Sequence, residues 1–253
     1  MKDKILSLLL TDTISYFSHL KIIEQYGDNI LYNLIEEQNN WAVSMLIPTG
    51  LSIFDIEAYP ESEYIVYIAA SNDNLLRNIV FKLPVDCHLV FKISKSNEKD
   101  IVMEYFNAAS KRAYFSYFTD KPVKLDCLNV VLNYKTDESL IPLWLENGYD
   151  RKSIDEYFKN GAVSFSIYSN NIPISTCFIF PSFGDIWEIA ALHTINEERR
   201  KGYGKLVAAA ALNYIVGMGK KLRYQVLDTN ISSIRLIESL GLQRTLILEH
   251  LYY

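Results

Sequence analysis

The stretch Arg199-Arg200-Lys201-Gly202-Tyr203-Gly204-Lys205 carries two glycines one residue apart and four cationic side chains. An apolar run that predicts a strand, residues 186–194, precedes it, and a helical run over residues 206–216 follows. A strand that leads through a glycine-containing loop into a helix forms an anion site, because glycine lets the backbone approach a phosphate and the first N–H groups of the helix point at it. Cations at the start of a helix oppose the helix dipole unless an anion is bound there. The four cationic side chains therefore favour a bound anion over a solvated helix start.

The spacing of the glycines separates kinds of phosphate loop. A dinucleotide loop needs G-x-G-x-x-G, and Val207 stands at the place of the third glycine, while the G-x-x-x-x-G-K-[ST] pattern is absent. The pattern that fits is R-x-x-G-x-G, read as Arg199, Gly202 and Gly204. It resembles the acyl-CoA pyrophosphate loop of the GNAT acetyltransferase superfamily. The alternative is a glycine-rich turn before a buried helix.

A second segment, residues 230–242, is similar to the motif N-x-x-[SA]-x-x-x-Y-x-x-x-G-F of the same superfamily. We expect Asn230 to cap the start of a helix and Gly241 to end it in a left-handed conformation. The apolar positions recur at helical spacing: Ile234, Ile237 and Leu240. A strand-like run, residues 222–227, lies between the two motifs. The resemblance covers about residues 127–251.

The composition bounds the class of protein. With 253 residues and 49% hydrophobic content, the chain has enough apolar residues for a full core. A net charge of −5 argues against nucleic acid as the main partner. The three cysteines are widely spaced without metal-type pairing, and the apolar run 5–10 is too short for a signal peptide or a membrane span. We therefore expect a cytoplasmic protein with no metal, no membrane and no nucleic-acid partner, as a monomer or homodimer.

The polar stretch 119–124 is the predicted boundary between two α/β domains, 1–122 and 125–253. The second domain has the element order β-α-α-β-β-β-α-β-α-β of the GNAT fold, which implies a mixed, mostly antiparallel central sheet flanked by helices. One of its helices is predicted to open at Ser153. In the first domain we predict a helix over residues 3–36 and a strand over residues 52–58, among other elements, without a glycine-rich loop. Its element order suggests a degenerate GNAT-like half that shapes the acceptor pocket or has a purely structural role.

The resemblance implies how a donor would be held. The N–H groups of residues 200–205, with Arg199 and Arg200, would bind the pyrophosphate. The backbone at Leu192 and Thr194 would pair with the pantetheine amides, and the N–H of Leu192 would polarise the thioester carbonyl. The implied donor-binding residues are Leu192, Thr194, Arg199, Arg200, Lys201, Gly202, Tyr203, Gly204, Lys205, Asn230 and Ser233. Helix capping is the alternative role of Asn230 and Ser233.

Glu188 is the candidate general base. Strand alternation predicts one face for Glu188 and three further residues, with His193 on the other face against a helix; those three are Ala190, Leu192 and Thr194. A carboxylate in this apolar strand would be partly desolvated, with a raised pKa that suits a base. The alternative is a strand-end carboxylate that bonds a neighbouring loop. Ile237 stands where the superfamily often has its tyrosine general acid, so another of the 18 tyrosines, or water, would protonate the thiolate.

These features imply an N-acetyltransferase that moves the acetyl group of acetyl-CoA to the primary amine of a small molecule or amino acid by direct attack. The alternative is a GNAT fold that senses acyl-CoA without turnover. The run Trp187-Glu188-Ile189 ahead of the loop is also similar to the glycine N-acyltransferase-like branch, without indicating the acceptor.

Overall fold

The computed structural model describes residues 1–253. The chain forms nine α-helices: α1 (Lys2–Leu9), α2 (Phe17–Tyr26), α3 (Ile53–Ala58), α4 (Asp73–Phe81), α5 (Ser96–Tyr105), α6 (Ile141–Glu146), α7 (Arg151–Lys159), α8 (Tyr203–Gly217) and α9 (Ile231–Ser239). It forms eleven β-strands: β1 (Leu31–Glu37), β2 (Asn40–Pro48), β3 (Tyr64–Ala70), β4 (Leu89–Ile93), β5 (Ala109–Thr119), β6 (Val131–Asn133), β7 (Val163–Ser169), β8 (Ile172–Phe183), β9 (Ile186–Thr194), β10 (Lys221–Leu227) and β11 (Arg244–Tyr252). No helix combines the length and the apolar character that a membrane crossing requires.

The chain divides into two compact units. Unit 1 comprises residues 1–115 and 246–253, and unit 2 comprises residues 116–245. Most of β11 therefore belongs to unit 1, which a single division at residues 119–124 does not anticipate. The domains 1–122 and 125–253 stay a prediction as independent folding units.

Unit 1 contains a mixed sheet with the strand order β1-β2-β3-β4-β11, in which only β3 and β4 run parallel. Helix α4 carries Leu75, Leu76, Ile79 and Val80 on one face, and all four are buried. These side chains pack with apolar residues of α5 and of the strands in one core. The helix forms because this spacing buries one side against the sheet and leaves the other in water.

Two predicted elements of unit 1 are wrong. The predicted helix over residues 3–36 is two helices, α1 and α2. The second ends at Tyr26, because Gly27 adopts a φ of +42° and residues 31–37 pair with residues 40–46 as a hairpin. The predicted strand 52–58 is helix α3, because the Ser52 side chain accepts a hydrogen bond from the Asp55 N–H and opens a helical turn. In both cases the apolar content is compatible with a helix or a strand, and local backbone conformation and hydrogen bonds determine which one forms.

Unit 2 contains a sheet with the strand order β6-β7-β8-β9-β10, antiparallel throughout except for β9 and β10. The element order is the predicted one, so the predicted α/β fold class is confirmed. Helix α7 begins before Ser153, because the carboxylate of Asp150 accepts the Ser153 N–H at 2.9 Å and caps the helix.

Helices cover both faces of this sheet. On one face α6 and α7 form an aromatic core with β8 and β9, whose largest members are Trp144, Phe158, Phe178 and Phe180. On the other face α8 packs through Val207, Ala208 and Ala211. The Val207 carbonyl accepts a hydrogen bond from the Cys177 thiol. Since neighbouring residues of a strand point to opposite faces, Cys177 and Phe178 contact different layers. Strand β9 therefore lies between two helical layers.

Candidate functional site

Strands β9 and β10 part at one end. Their parallel pairing runs from Ile186 with Lys221 to Ile189 with Tyr224 and stops there. A cavity of about 260 Å³ opens beyond this point, between the unpaired ends of the two strands. Its lining includes Tyr149, Glu188, Ala190, Ala191, Leu192, Tyr224, Gln225, Asn230 and Ser233.

A β-bulge shapes the β9 wall of this cavity. Ala190 pairs with Phe178 and His193 with Thr176, so Ala191 and Leu192 both lie opposite Cys177. Ala191 has a φ of +49°. A non-glycine residue in this region costs about 1–3 kcal/mol and is typical of functional sites. The bulge frees the backbone of residues 191–192 from regular pairing beside the cavity.

The bulge also overturns the predicted alternation along β9. Glu188 and Ala190 pair with Phe180 and Phe178, and His193 pairs with Thr176 on that same face. Thr194 instead lies on the α8 face. The predicted common face of Glu188, Ala190, Leu192 and Thr194 is therefore wrong, as is the opposite face for His193, because one extra residue in a strand shifts every later side chain.

The glycine loop leads into a helix start with free backbone donors. Arg200 and Gly202 have φ values of +64° and +89°, and α8 begins after Gly202 without a side-chain cap. The first hydrogen bond of the helix runs from the Leu206 N–H to the Gly202 carbonyl at 3.1 Å. The N–H groups of residues 203–205 precede this bond, so they are free to meet an anion.

These donors border a second cavity of about 480 Å³. All the predicted donor-binding residues except Lys201 line this cavity: Leu192, Thr194, Arg199, Arg200, Gly202, Tyr203, Gly204, Lys205, Asn230 and Ser233. Asn147, Leu192, Asn230 and Ser233 line both cavities. The two cavities therefore share walls and run from the helix start to the parting of β9 and β10.

Three of the four cations of the loop have a partner within the protein. Arg199 Nε donates to the Thr194 carbonyl at 2.9 Å, and Lys205 Nζ donates to the Ser239 carbonyl at 2.9 Å. Lys201 pairs with Glu198 at 2.9 Å. Arg200 makes no hydrogen bond or ion pair within the protein, so its side chain is the one most available to an external anion. Because the Thr194 carbonyl already accepts the hydrogen bond from Arg199, it is not a free partner for a pantetheine amide.

Gly204 is needed for close packing. A Cβ built on it would lie 3.0 Å from Leu236 Cδ1 and 3.2 Å from Thr194 Oγ1. Its own φ is not in the left-handed region, whereas Gly202 is in that region and has open space around its Cβ position. Gly204 therefore lets α8 start tightly between α9 and β9, and Gly202 provides the turn.

Asn230 caps α9 as predicted. Its side-chain oxygen accepts the Ser233 N–H at 3.2 Å and the Ser232 hydroxyl at 3.0 Å. The cap places the Asn230 and Ser233 side chains at the junction of the two cavities.

We expect Asn230→Ala to lower the free energy of unfolding by about 1 kcal/mol, because the Ser233 N–H loses its acceptor. Urea unfolding of the full chain measures this effect. The control Asn230→Ser keeps a capping oxygen and is expected to retain most of the stability. Equal losses in the two variants would contradict a capping role.

Glu188 lies in a different environment from the apolar one that the strand predicted. Its Oε2 accepts from Arg223 Nη1 at 2.7 Å, and Ser182, which a second bulge turns inward, donates to its Oε1. The two ion-paired side chains are 10% and 5% exposed. Arg223 is directly opposite Glu188 in the β9–β10 register. The sequence does not point to Arg223, because it comes 35 positions later in the chain.

Three further titratable side chains border the site. Burial lowers the pKa of His193, while the carboxylate of Glu146, 3.3 Å from its Nε2, acts in the opposite direction. Burial raises the pKa of both Tyr149 and Tyr224. Both phenols are therefore protonated at neutral pH. No group of three or more His, Cys, Asp or Glu side chains comes together as a metal site.

Comparisons with known proteins agree with this geometry. A family model described as FR47-like protein matches residues 183–251, which include β9, the glycine loop and α9. An acetyltransferase from the GNAT family of Colwellia psychrerythraea superposes with a TM-score of 0.61 at 8% identity, covering 96% of this chain and 97% of that one. The chain has the GNAT fold. No curated protein matches it.

Two other structures with this fold extend the likeness to both units. A GCN5-related N-acetyltransferase from Sphaerobacter thermophilus has a TM-score of 0.59 at 9% identity, covering 92% of this chain and 84% of that one. A tandem GNAT protein from the clavulanic acid biosynthesis pathway has a TM-score of 0.51 at 9% identity, covering 93% and 86%. The tandem protein fits the predicted GNAT-like character of the first half. The resemblance to the glycine N-acyltransferase-like branch stays a prediction.

Proposed function

We propose that this protein is an N-acetyltransferase that transfers the acetyl group of acetyl-CoA to the primary amine of a small molecule or amino acid. The observation that carries this proposal is the continuous path from the free N–H groups at the start of α8 to the parting of β9 and β10 at the Ala191 bulge. An anion site at one end and strand backbone outside regular pairing at the other suit a phosphorylated carrier with an extended amide arm.

In this proposal the pyrophosphate of CoA lies on the N–H groups of Tyr203, Gly204 and Lys205, with Arg200 adding a charge-assisted bond. The arm follows the Leu192 backbone, and the N–H of Leu192 polarises the thioester carbonyl. Asn230 and Ser233 border the arm. Arg199 acts mainly by holding the loop to the Thr194 carbonyl, and Lys201 acts through general charge since it lies outside the cavity lining.

Direct attack then needs a neutral amine. Glu188 borders the cavity beneath the bulge, and we propose that it takes the amine proton, directly or through one water. Its contacts with Arg223 and Ser182 orient the carboxylate. They also stabilise its charged form, so it can accept a proton only while the developing ammonium is a strong acid.

That ion pair also favours a second candidate function. A carboxylate already bonded by a guanidinium and a hydroxyl is a weaker base, which suits a GNAT fold that binds acyl-CoA without turnover. A thiol-release assay separates the candidates. Full-length protein is incubated with acetyl-CoA and with amino acids, polyamines or arylamines in turn, and free CoA thiol is measured.

We expect thiol release that depends on the amine and yields the N-acetyl product. Calorimetric binding of acetyl-CoA without any release above the amine-free rate would favour the sensing function instead. Absence of binding would contradict both.

The lining of the two cavities lies in unit 2 throughout. We therefore propose that unit 1 influences the choice of acceptor and not donor binding. A cytoplasmic location, where acetyl-CoA is available, and a monomeric or homodimeric state complete the proposal.

A further inference from the structure

The proposed reaction needs a proton donor for the CoA thiolate, and the residues assigned so far do not provide one. When the amine nitrogen bonds to the carbonyl carbon and the carbon–sulfur bond breaks, the sulfur leaves as a thiolate. That thiolate must receive a proton before CoA departs in its neutral thiol form. Ile237 has no proton to give, although its place in the motif is the one that often holds a tyrosine.

We propose that Tyr224 is the general acid that protonates the CoA thiolate, an inference that rests on the proposed acetyltransfer. Tyr224 is the last residue of β10 that pairs with β9, so its side chain stands where the two strands part. It is 5% exposed and lines the same cavity as the bulge residues Ala191 and Leu192. The leaving sulfur of a thioester polarised at Leu192 would face this wall.

The position of Tyr224 explains how the site can hold a phenol although residue 237 is an isoleucine. Tyr224 and Ser233, in the first turn of α9, line the same cavity, and their side chains are close enough to interact. Ser233 and Ile237 are four residues apart and lie on the same helix face, and long helical side chains lean towards the helix N-terminus. A tyrosine at position 237 would therefore reach back to Ser233. Tyr224 brings a phenol to that region from the neighbouring strand.

The other phenol of the cavity has a different role. The Tyr149 phenol lies close to the backbone of Ala191, which acts on its pKa against the effect of burial. Its ring packs edge-on against Phe178 and Tyr157, with centroid distances of 5.4 and 6.3 Å. Tyr149 is thus held as a brace of the bulge. Ser233 remains as a hydroxyl, but an aliphatic alcohol is a far weaker acid than a phenol, whose usual pKa is about 10.

The proton balance closes without a further reactant. The phenol gives its proton to the sulfur, the amine proton passes to Glu188 or water and from there to solvent, and the phenolate of Tyr224 regains a proton from solvent. Burial raises the pKa of Tyr224, so the phenol is fully protonated before each turnover.

The test is Tyr224→Phe in the full-length protein, with Tyr157→Phe as the matched control. Tyr157 packs against the aromatic core of α6, α7, β8 and β9, with its ring centroid 4.4 Å from that of Phe180, but does not line either cavity. We expect Tyr224→Phe to lower kcat by about 10²-fold, the lower range for general acid catalysis, with calorimetric affinity for acetyl-CoA within threefold of wild type. Tyr157→Phe should keep kcat within about twofold.

An active wild type with an unaffected kcat in Tyr224→Phe would overturn this assignment and leave the proposed function standing. Equal losses of kcat and of thermal stability in Tyr224→Phe and Tyr157→Phe would also overturn it, because packing would then explain the effect. A wild type that binds acetyl-CoA but acetylates no amine would overturn the proposed function together with this assignment.

Discussion

Replacement of Glu188 by glutamine is expected to lower kcat by roughly 10²–10⁴-fold, the usual worth of a general base, while the affinity for acetyl-CoA changes little. Glutamine keeps the size of the side chain and its contact with Ser182 but cannot take a proton from the amine. Steady-state kinetics with the best acceptor of the panel, together with calorimetry, separate kcat from donor binding.

The same substitution removes the anionic partner of a buried guanidinium. Breaking a buried ion pair costs about 3–5 kcal/mol, so unfolding must be followed alongside activity. The double variant Glu188→Gln/Arg223→Met removes both charges, and its stability is expected to recover without recovery of kcat. Glu146→Gln is the control, because that carboxylate is 65% exposed and pairs with His193 rather than with Glu188 or Arg223. Near-normal turnover in a folded Glu188→Gln protein would mean that the amine arrives neutral or uses another base.

Gly204→Val is expected to weaken acetyl-CoA binding by about 2–4 kcal/mol. The new side chain has no room beside Leu236 and Thr194, so α8 must shift at the turn where its N–H groups would bind the pyrophosphate. Calorimetry on protein shown to be folded by circular dichroism measures the loss.

Gly217→Ala provides the matched control at the other end of α8, since a Cβ there meets nothing within 4 Å. Its affinity for acetyl-CoA is expected to equal that of the wild type. Unchanged affinity in folded Gly204→Val would refute the assignment of the loop to the donor. A loss in both variants would point to a general effect on α8.

Local patterns predict the backbone structure around the glycine loop well. The glycine loop, the helix after it and the cap by Asn230 each depend on residues within about one helical turn, and the structure has all three. The element order of unit 2 follows in the same way from apolar periodicity and turn residues.

The proposed catalytic residues depend on contacts between strands, which the spacing of residues in the sequence does not reveal. The bulge at Ala191 arises from the pairing of β8 with β9, and alanine gives no local sign of a positive φ. The ion pair of Glu188 with Arg223 and the placement of Tyr224 both depend on the β9–β10 register. A pattern of alternating residues assumes an unbroken strand, so it assigned His193 and Thr194 to the wrong faces.

A crystal structure of the full-length protein with acetyl-CoA would show directly whether the glycine loop holds the donor. We expect pyrophosphate oxygens within about 3.2 Å of the backbone nitrogens of Tyr203, Gly204 and Lys205, with the thioester between Leu192 and Tyr224. Acetyl-CoA bound at another surface, or no bound acetyl-CoA at saturating concentration, would contradict it.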